Sequence, residues 1–303
     1  MSQNRNQWID IAKGITIILM VLGHTSIPKF ASNFIWSFHM PLFFIASGWC
    51  TNWSRDSIGK FITNKAHSLL LPFVLYSSIV IIANQSIGGG NLKGFLCMGW
   101  EGYALWFIPV LFFALIVAKL IKSVKVKNLQ TFFWLLTAAI GGGLSYYKIY
   151  LPWTLATVPY ACFLIILGSK VKQYQDYFSS PRSWLLIVGF LIAAVVSHFY
   201  RLDMAWNNIT PVTILILGAC SGTVMMFTLS SYIDKYAKYT SRLLQAIGKE
   251  TYLILAFSQI IIVLLNHYFT LNSAIKYAIL VVVLVALKYI KDAVNALTGK
   301  KIL

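Results

Sequence analysis

Residues 9–27 read IDIAKGITIILMVLGHTSI, from Ile9 to Ile27. A helix that crosses a bilayer needs about 20 mostly apolar residues. This stretch supplies them, yet it carries Asp10, Lys13 and His24. Ionisable groups inside an apolar span are costly and mark a functional site by default. Lys13 and His24 stand eleven positions apart. At about 100° per residue they fall within roughly 20° of one face, about 16 Å apart along the axis. Asp10, three residues before Lys13, is placed to pair with its ammonium on the same side. The stretch reads as a spanning helix with one polar stripe, an ion pair toward one end and an imidazole well beyond it.

The rest of the chain supports a lipid solvent. Of 303 residues, 58% are hydrophobic and only 11% charged, where soluble domains carry about 25% charged residues. That composition excludes an ordinary cytosolic enzyme, a disordered tail and a secreted disulfide scaffold. Nine further apolar stretches follow the first: 34–50, 68–87, 103–121, 131–147, 153–169, 184–200, 211–233, 251–269 and 274–290. The predicted fold is an all-α polytopic integral membrane protein, a bundle of about ten transmembrane helices. It forms one domain, 1–303, with no separate soluble domain. The first apolar run has no small-residue cleavage site after it and is expected to stay as an anchor. Cys50, Cys97, Cys162 and Cys220 are scattered, with no CxxC pair and no metal-ligand spacing, so no disulfide framework and no metal are expected.

The net charge of +17 raises the question of a nucleic-acid partner. Assigning alternate connections to the two sides of the bilayer answers it. Of the 25 Lys and Arg residues, one side receives all but Lys29, Lys93, Lys148, Arg201 and Lys276. This asymmetry is the positive-inside pattern of a membrane protein, with both termini cytoplasmic, and it removes the nucleic-acid reading.

The second apolar stretch begins with Phe34–Cys50, FIWSFHMPLFFIASGWC, and places His39 and Pro41 on the outer side. Pro41 interrupts the backbone ladder and frees carbonyl groups toward the bundle. His39 fits a hydrogen-bonded packing role and a catalytic one equally. Asp10 and Lys13 fit a functional pair and a pair of interface groups snorkelling to water equally. On the outer side only Glu101 and Asp203 offer a carboxylate to orient an imidazole.

IDIAKGITIILMVLGH followed by FHMPLFFIASGW closely resembles the opening of the membrane acyltransferase 3 family, and within it the fucose 4-O-acetylase-like branch. The family pattern of a basic residue, ten positions and a histidine is met by Lys13 and His24. Gly102–Phe113 (GYALWFIPVLFF) resembles its Trp-Phe-rich fourth helix, and Ile247–Gln259 (IGKETYLILAFSQ) its late Gly-Lys-x-Thr segment. Two departures stand out. Where the family often has Arg-x-x-Arg, Lys65 keeps one charge and Ser68 takes the second place, and Gln259 stands where many relatives have histidine.

The resemblance implies transfer of an acetyl group from acetyl-CoA to a sugar hydroxyl of a lipid-linked or cell-surface glycan, in the inner or plasma membrane of a bacterium. It casts His24 as general base or acyl relay, with His39, Asp10 and Glu101 in support. Lys13, Arg55 and Lys65 are expected to meet the CoA phosphates. The rival class is a transporter or flippase of a lipid-linked sugar. Against it, the sequence shows no pair of broken helices in corresponding halves.

Overall fold

The computed structural model describes residues 7–90, 93–94, 103–179 and 182–299. It is helical, and among the described residues the only strand-like pairing is the isolated bridge Asp203–Asn208. In chain order the helices are α1 (Gln7–Gly23), α2 (Lys29–Cys50), α3 (Ile58–Gln85), α4 (Tyr103–Ser123), α5 (Lys127–Tyr146) and α6 (Val158–Val171). They continue with α7 (Ser183–Phe199), α8 (Val212–Tyr236), α9 (Lys238–Lys249), α10 (Thr251–Tyr268) and α11 (Ser273–Thr298). Each of the ten apolar stretches overlaps one of these helices, although 9–27 runs past the end of α1 and 153–169 begins before α6. Among the described residues, six helical stretches are long and apolar enough to cross a bilayer: Ile58–Gln85, Tyr103–Ser123, Pro152–Phe178, Val212–Tyr236, Thr251–Tyr268 and Ser273–Thr298. The chain is a multi-pass membrane protein. Helix α7 is apolar but shorter, at 17 residues.

The chain divides into two compact units: 1–55, 114–150 and 156–251 form one; 56–113, 151–155 and 252–303 form the other. In the first, α2 packs against α1, α6, α7 and α8. Glycines set two of the closest approaches. A Cβ at Gly48 would run into the Ile165 carbonyl, and one at Gly168 into the Ile45 carbonyl, so α2 and α6 meet backbone to backbone. The same reciprocity links α1 and α9, where Gly14 faces the Leu244 carbonyl and Gly248 the Asp10 carbonyl. Such contacts suit a membrane, where lipid tails are as apolar as leucine and helices associate through close van der Waals packing.

One end of this unit is closed by four rings. Trp8 lies edge-on to Trp49 at 5.2 Å and to Phe227 at 5.0 Å, and Phe178 stands 6.0 Å from Phe227. This cluster ties the start of α1 to the end of α2.

In the second unit, α3 changes to π-helical turns over Ala66–Leu70, just before Pro72. Proline cannot donate to the carbonyl four residues back, and a π-bulge is a common accommodation. The Tyr252 hydroxyl donates to the Leu69 carbonyl at 2.7 Å, satisfying one group the irregular turn releases. Tyr76 lies edge-on to Tyr252 and Phe257 at 5.4 and 5.0 Å. Along α11 Leu280 alone is buried, and Ile275, Val281, Val282, Val285 and Ile290 are exposed.

Candidate active site

Helix α1 carries polar groups at both ends. Near its start Lys13 Nζ lies 2.7 Å from Asp10 Oδ1, the pairing expected from the three-residue spacing. Asp10 is only 4% exposed. It is thus an internal group of the unit, held where Gly248 comes against its backbone, rather than a snorkelling interface residue.

At the other end the helix stops earlier than the run of apolar residues. Gly23 is its last residue, and His24 N donates to the Val21 carbonyl at 3.3 Å in the turn that follows. Thr25 Oγ1 donates to Leu22 O at 2.7 Å, and Pro28 stands immediately before α2. His24 is therefore an exposed residue of the α1–α2 turn, whereas the sequence placed it inside the span. His39 shows the opposite: it is 3% exposed, within the buried stretch of α2 that contains Pro41.

Trp36 joins the two. Its ring lies 5.3 Å from the His24 ring and 5.6 Å from the His39 ring, edge-on to both, and its Nε1 donates to the Gly23 carbonyl at 3.5 Å. Gly23 admits this approach, since a Cβ there would press on Ile35 and Trp36. His39 Nδ1 donates to the Ile35 carbonyl at 3.0 Å. A carbonyl can only accept, so this bond assigns a proton to Nδ1, and in the neutral ring Nε2 keeps its lone pair. The buried imidazole is thereby held in the tautomer that a proton acceptor needs.

A fourth residue completes the cluster. The Arg201 guanidinium lies over the Trp36 ring, 4.1 Å from its centroid, and its charge acts on both imidazoles. The sequence did not single out Arg201. Its one signal was that it is among the few cations assigned to the outer side. Asp203 sits two residues on, in a hairpin where its backbone exchanges bonds with Asn208. Burial pushes its carboxyl above the ordinary range, while the Trp206 amide and Arg201 pull it back. Beside the cluster a cleft of about 680 Å³ runs between α1, α2 and α7, lined by Leu19, Phe34, Ile35, Phe190, Ala194 and His198.

The remaining predicted residues fall elsewhere. Arg55 is exposed just beyond α2. Lys65, in the second unit, lies half-buried over Phe61 at 5.6 Å, directly before the π-helical turns. Glu101 lies outside the described residues. Among the described residues no three His, Cys, Asp or Glu side chains are grouped to hold a metal ion.

The arrangement is that of a polytopic membrane protein whose polar chemistry is concentrated on its first two helices, with an ion pair at one end and two imidazoles at the other. A family model described as an acyltransferase domain matches residues 6–291, and the chain belongs to that family, acyltransferase 3. It is similar to the nodulation protein NolL of Sinorhizobium fredii (strain NBRC 101917 / NGR234). That match is 26% identical over 254 residues, 75% of this chain and 66% of that protein. It is also similar to the nodulation protein NolL of Mesorhizobium japonicum (strain LMG 29417 / CECT 9101 / MAFF 303099), 23% identical over 236 residues, 69% of this chain and 60% of that protein. The chain thus spans under two thirds of the length of both relatives. No solved structure matches.

Proposed function

We propose that the chain is a membrane O-acyltransferase that moves an acetyl group from acetyl-CoA to a sugar hydroxyl of a lipid-linked or cell-surface glycan. The observation that carries this reading is the bracketing of Trp36 by two imidazoles at the end of a helix whose Lys13 and His24 meet the spacing of the acyltransferase 3 family. His24 is the general base or the acyl relay, and His39, with Nε2 unprotonated, supports it. In the base mechanism an imidazole nitrogen takes the hydroxyl proton as the sugar oxygen attacks the thioester carbonyl. The carbon–sulfur bond then breaks, and the imidazolium returns the proton to the departing thiolate. In the relay the imidazole nitrogen attacks the acetyl carbon and the carbon–sulfur bond breaks to release the thiolate; the sugar oxygen then attacks the acyl-imidazole, the carbon–nitrogen bond breaks, and the hydroxyl proton passes to the thiolate. The Asp10–Lys13 pair, about 16 Å back along the helix, and Arg55 and Lys65 belong to the donor side. The apolar cleft along α1, α2 and α7 favours an acceptor that carries hydrocarbon.

The reading includes a single acyltransferase domain of ten spans in a bacterial inner membrane, with both termini cytoplasmic. Its support is the overlap of all ten apolar stretches with helices, together with the one-sided distribution of Lys and Arg. The test is transfer of labelled acetyl from acetyl-CoA to glycan by the purified protein. Transfer by wild type and none by His24→Ala is expected. Normal transfer by His24→Ala at matched amounts removes the assignment. Reporter fusions after Lys127, Lys172 and Lys238 should read cytoplasm and those near Gly89, Tyr147 and Asn207 the outer side, and one reversal breaks the ten-span count.

A further inference from the structure

The end of α4 carries cations that the active-site description does not use. Lys122 Nζ donates to Ser169 Oγ at 2.6 Å and lies over the Trp53 ring, 5.5 Å from its centroid. Lys170, next to Ser169, lies over the Trp134 ring at 4.6 Å, and its charge acts on Lys122. Both lysines are half-buried. Snorkelling lysines extend away from the protein into water, whereas these two fold onto rings and a hydroxyl within one unit.

The platform beneath them is fixed. Trp134 stacks on Phe163 at 5.1 Å and 6°, and its Nε1 donates to the Phe163 carbonyl at 3.0 Å. Trp53 is held through its carbonyl, which accepts from Lys119 Nζ at 2.6 Å, with Lys119 only 7% exposed. Gln130 Nε2 donates to the Lys122 and Val124 carbonyls at 3.1 and 3.4 Å, so the end of α4 does not depend on these ammonium groups for its cap.

One ammonium is thus bonded to the Ser169 hydroxyl and the other belongs to the next residue, close enough for its charge to act on the first, and among the described residues no carboxylate lies within ion-pair distance of either. Like charges brought together in a partly dry place repel. Each ammonium has three donors, and the structure gives Lys122 one acceptor. A doubly charged oxyanion relieves the repulsion and takes the unused donors. We propose that Lys122, Lys170 and the Ser169 hydroxyl form a binding site for a phosphate ester. The phosphate has two sources, the phosphates of a CoA donor or the headgroup of an anionic phospholipid. The first rests on the acyltransferase reading, and the second does not.

The test reads binding without turnover, so its failure and the failure of acetyl transfer are separate results. Purified full-length protein in neutral detergent is titrated with inorganic pyrophosphate and with CoA. It is also placed in phosphatidylcholine nanodiscs with and without phosphatidylglycerol and its thermal midpoint measured. Lys122→Gln and Lys170→Gln should each weaken pyrophosphate binding on the order of tenfold, the loss of one charge-assisted contact, and Lys170→Arg should retain it. If the source is the donor, CoA affinity falls in parallel. If it is the headgroup, the midpoint gain from phosphatidylglycerol disappears in the Gln variants while CoA affinity holds. A folded Lys122→Gln/Lys170→Gln protein with wild-type pyrophosphate and CoA affinities and a wild-type phosphatidylglycerol gain overturns the site. Should that variant fail to fold, amine-reactive labelling of wild type decides the matter by mass spectrometry. Pyrophosphate or phosphatidylglycerol should shield Lys122 and Lys170, and equal labelling with and without both anions overturns it.

Discussion

The first and last helices exchange the roles that a water-soluble protein would give them. Helix α1 has ionisable residues in its sequence and buries eleven of its 17 residues, Asp10 among them. Helix α11 is 26 residues long and apolar enough to span a bilayer, yet it buries Leu280 alone. In water the apolar helix would be the core and the charged one the surface. In lipid, apolar side chains such as Val281, Val282 and Val285 face the solvent they match, and polar groups turn inward where partners exist. Between these two helices, burial goes with the ion pair and apolarity with the face left to lipid.

The contrast fails first at His24 if it is wrong. His24→Ala should cut acetyl transfer by about 10²–10⁴-fold, the usual loss for a general base, whereas Tyr289→Ala on the exposed face of α11 should leave it unchanged. Transfer kinetics with labelled acetyl-CoA compare the two, and equal effects would dissolve the distinction. Next comes Asp10→Asn, which strands the Lys13 ammonium. Removing one partner of a buried pair costs about 3–5 kcal/mol. The lower end is expected because the Lys13 side chain keeps 20% exposure. Asp10→Asn/Lys13→Met should recover much of this in thermal unfolding, and an Asp10→Asn protein as stable as wild type would show that the pair contributes nothing.

Helix α11 should respond far less. Val282→Ala removes methyls that touch lipid and should change stability by no more than about 0.5 kcal/mol, as surface substitutions do. A loss of 1 kcal/mol or more, on the scale of a buried deletion of similar size, would reveal a packed face. The smallest effect belongs to Lys288→Ala, which removes an exposed partner 2.6 Å from Asp292. Exposed i,i+4 pairs contribute about 0.3–0.5 kcal/mol, and comparing denaturation at low and high salt checks that this is all.

Much of the helical frame was legible because hydropathy and length are local properties. The Asp10–Lys13 pair was legible for the same reason, since helical spacing alone brings them together. The end of α1 was harder. Thr25, Ser26 and Ile27 extend a run that looks continuous, while the backbone has already turned at Gly23. The readable hint was Pro28, because a residue before proline is biased away from helix. For that reason the two histidines read alike as residues within spans, although His24 is exposed and His39 buried. Arg201 over Trp36 was out of reach, because α7 and the turn after it must fold onto α2 before the contact exists. The same holds for Lys122 and the Ser169 hydroxyl beside Lys170, a contact between helices that the charge pattern does not carry.

The meeting of Gly14 with Leu244 and of Gly248 with Asp10 has a mechanical consequence. Where two backbones touch, no side chains remain between them to rotate and absorb a displacement. Helix α1 is pinned to α9 at this point, one residue from Lys13, and its far end is held as well, where Trp36 Nε1 donates to the Gly23 carbonyl at 3.5 Å. A rod fixed at both ends does not swing; it sets a separation, here about 15 Å between the pinned glycine and the turn that carries His24. The helix is a spacer, and the ion pair and the imidazole keep their distance because neither of its ends is loose.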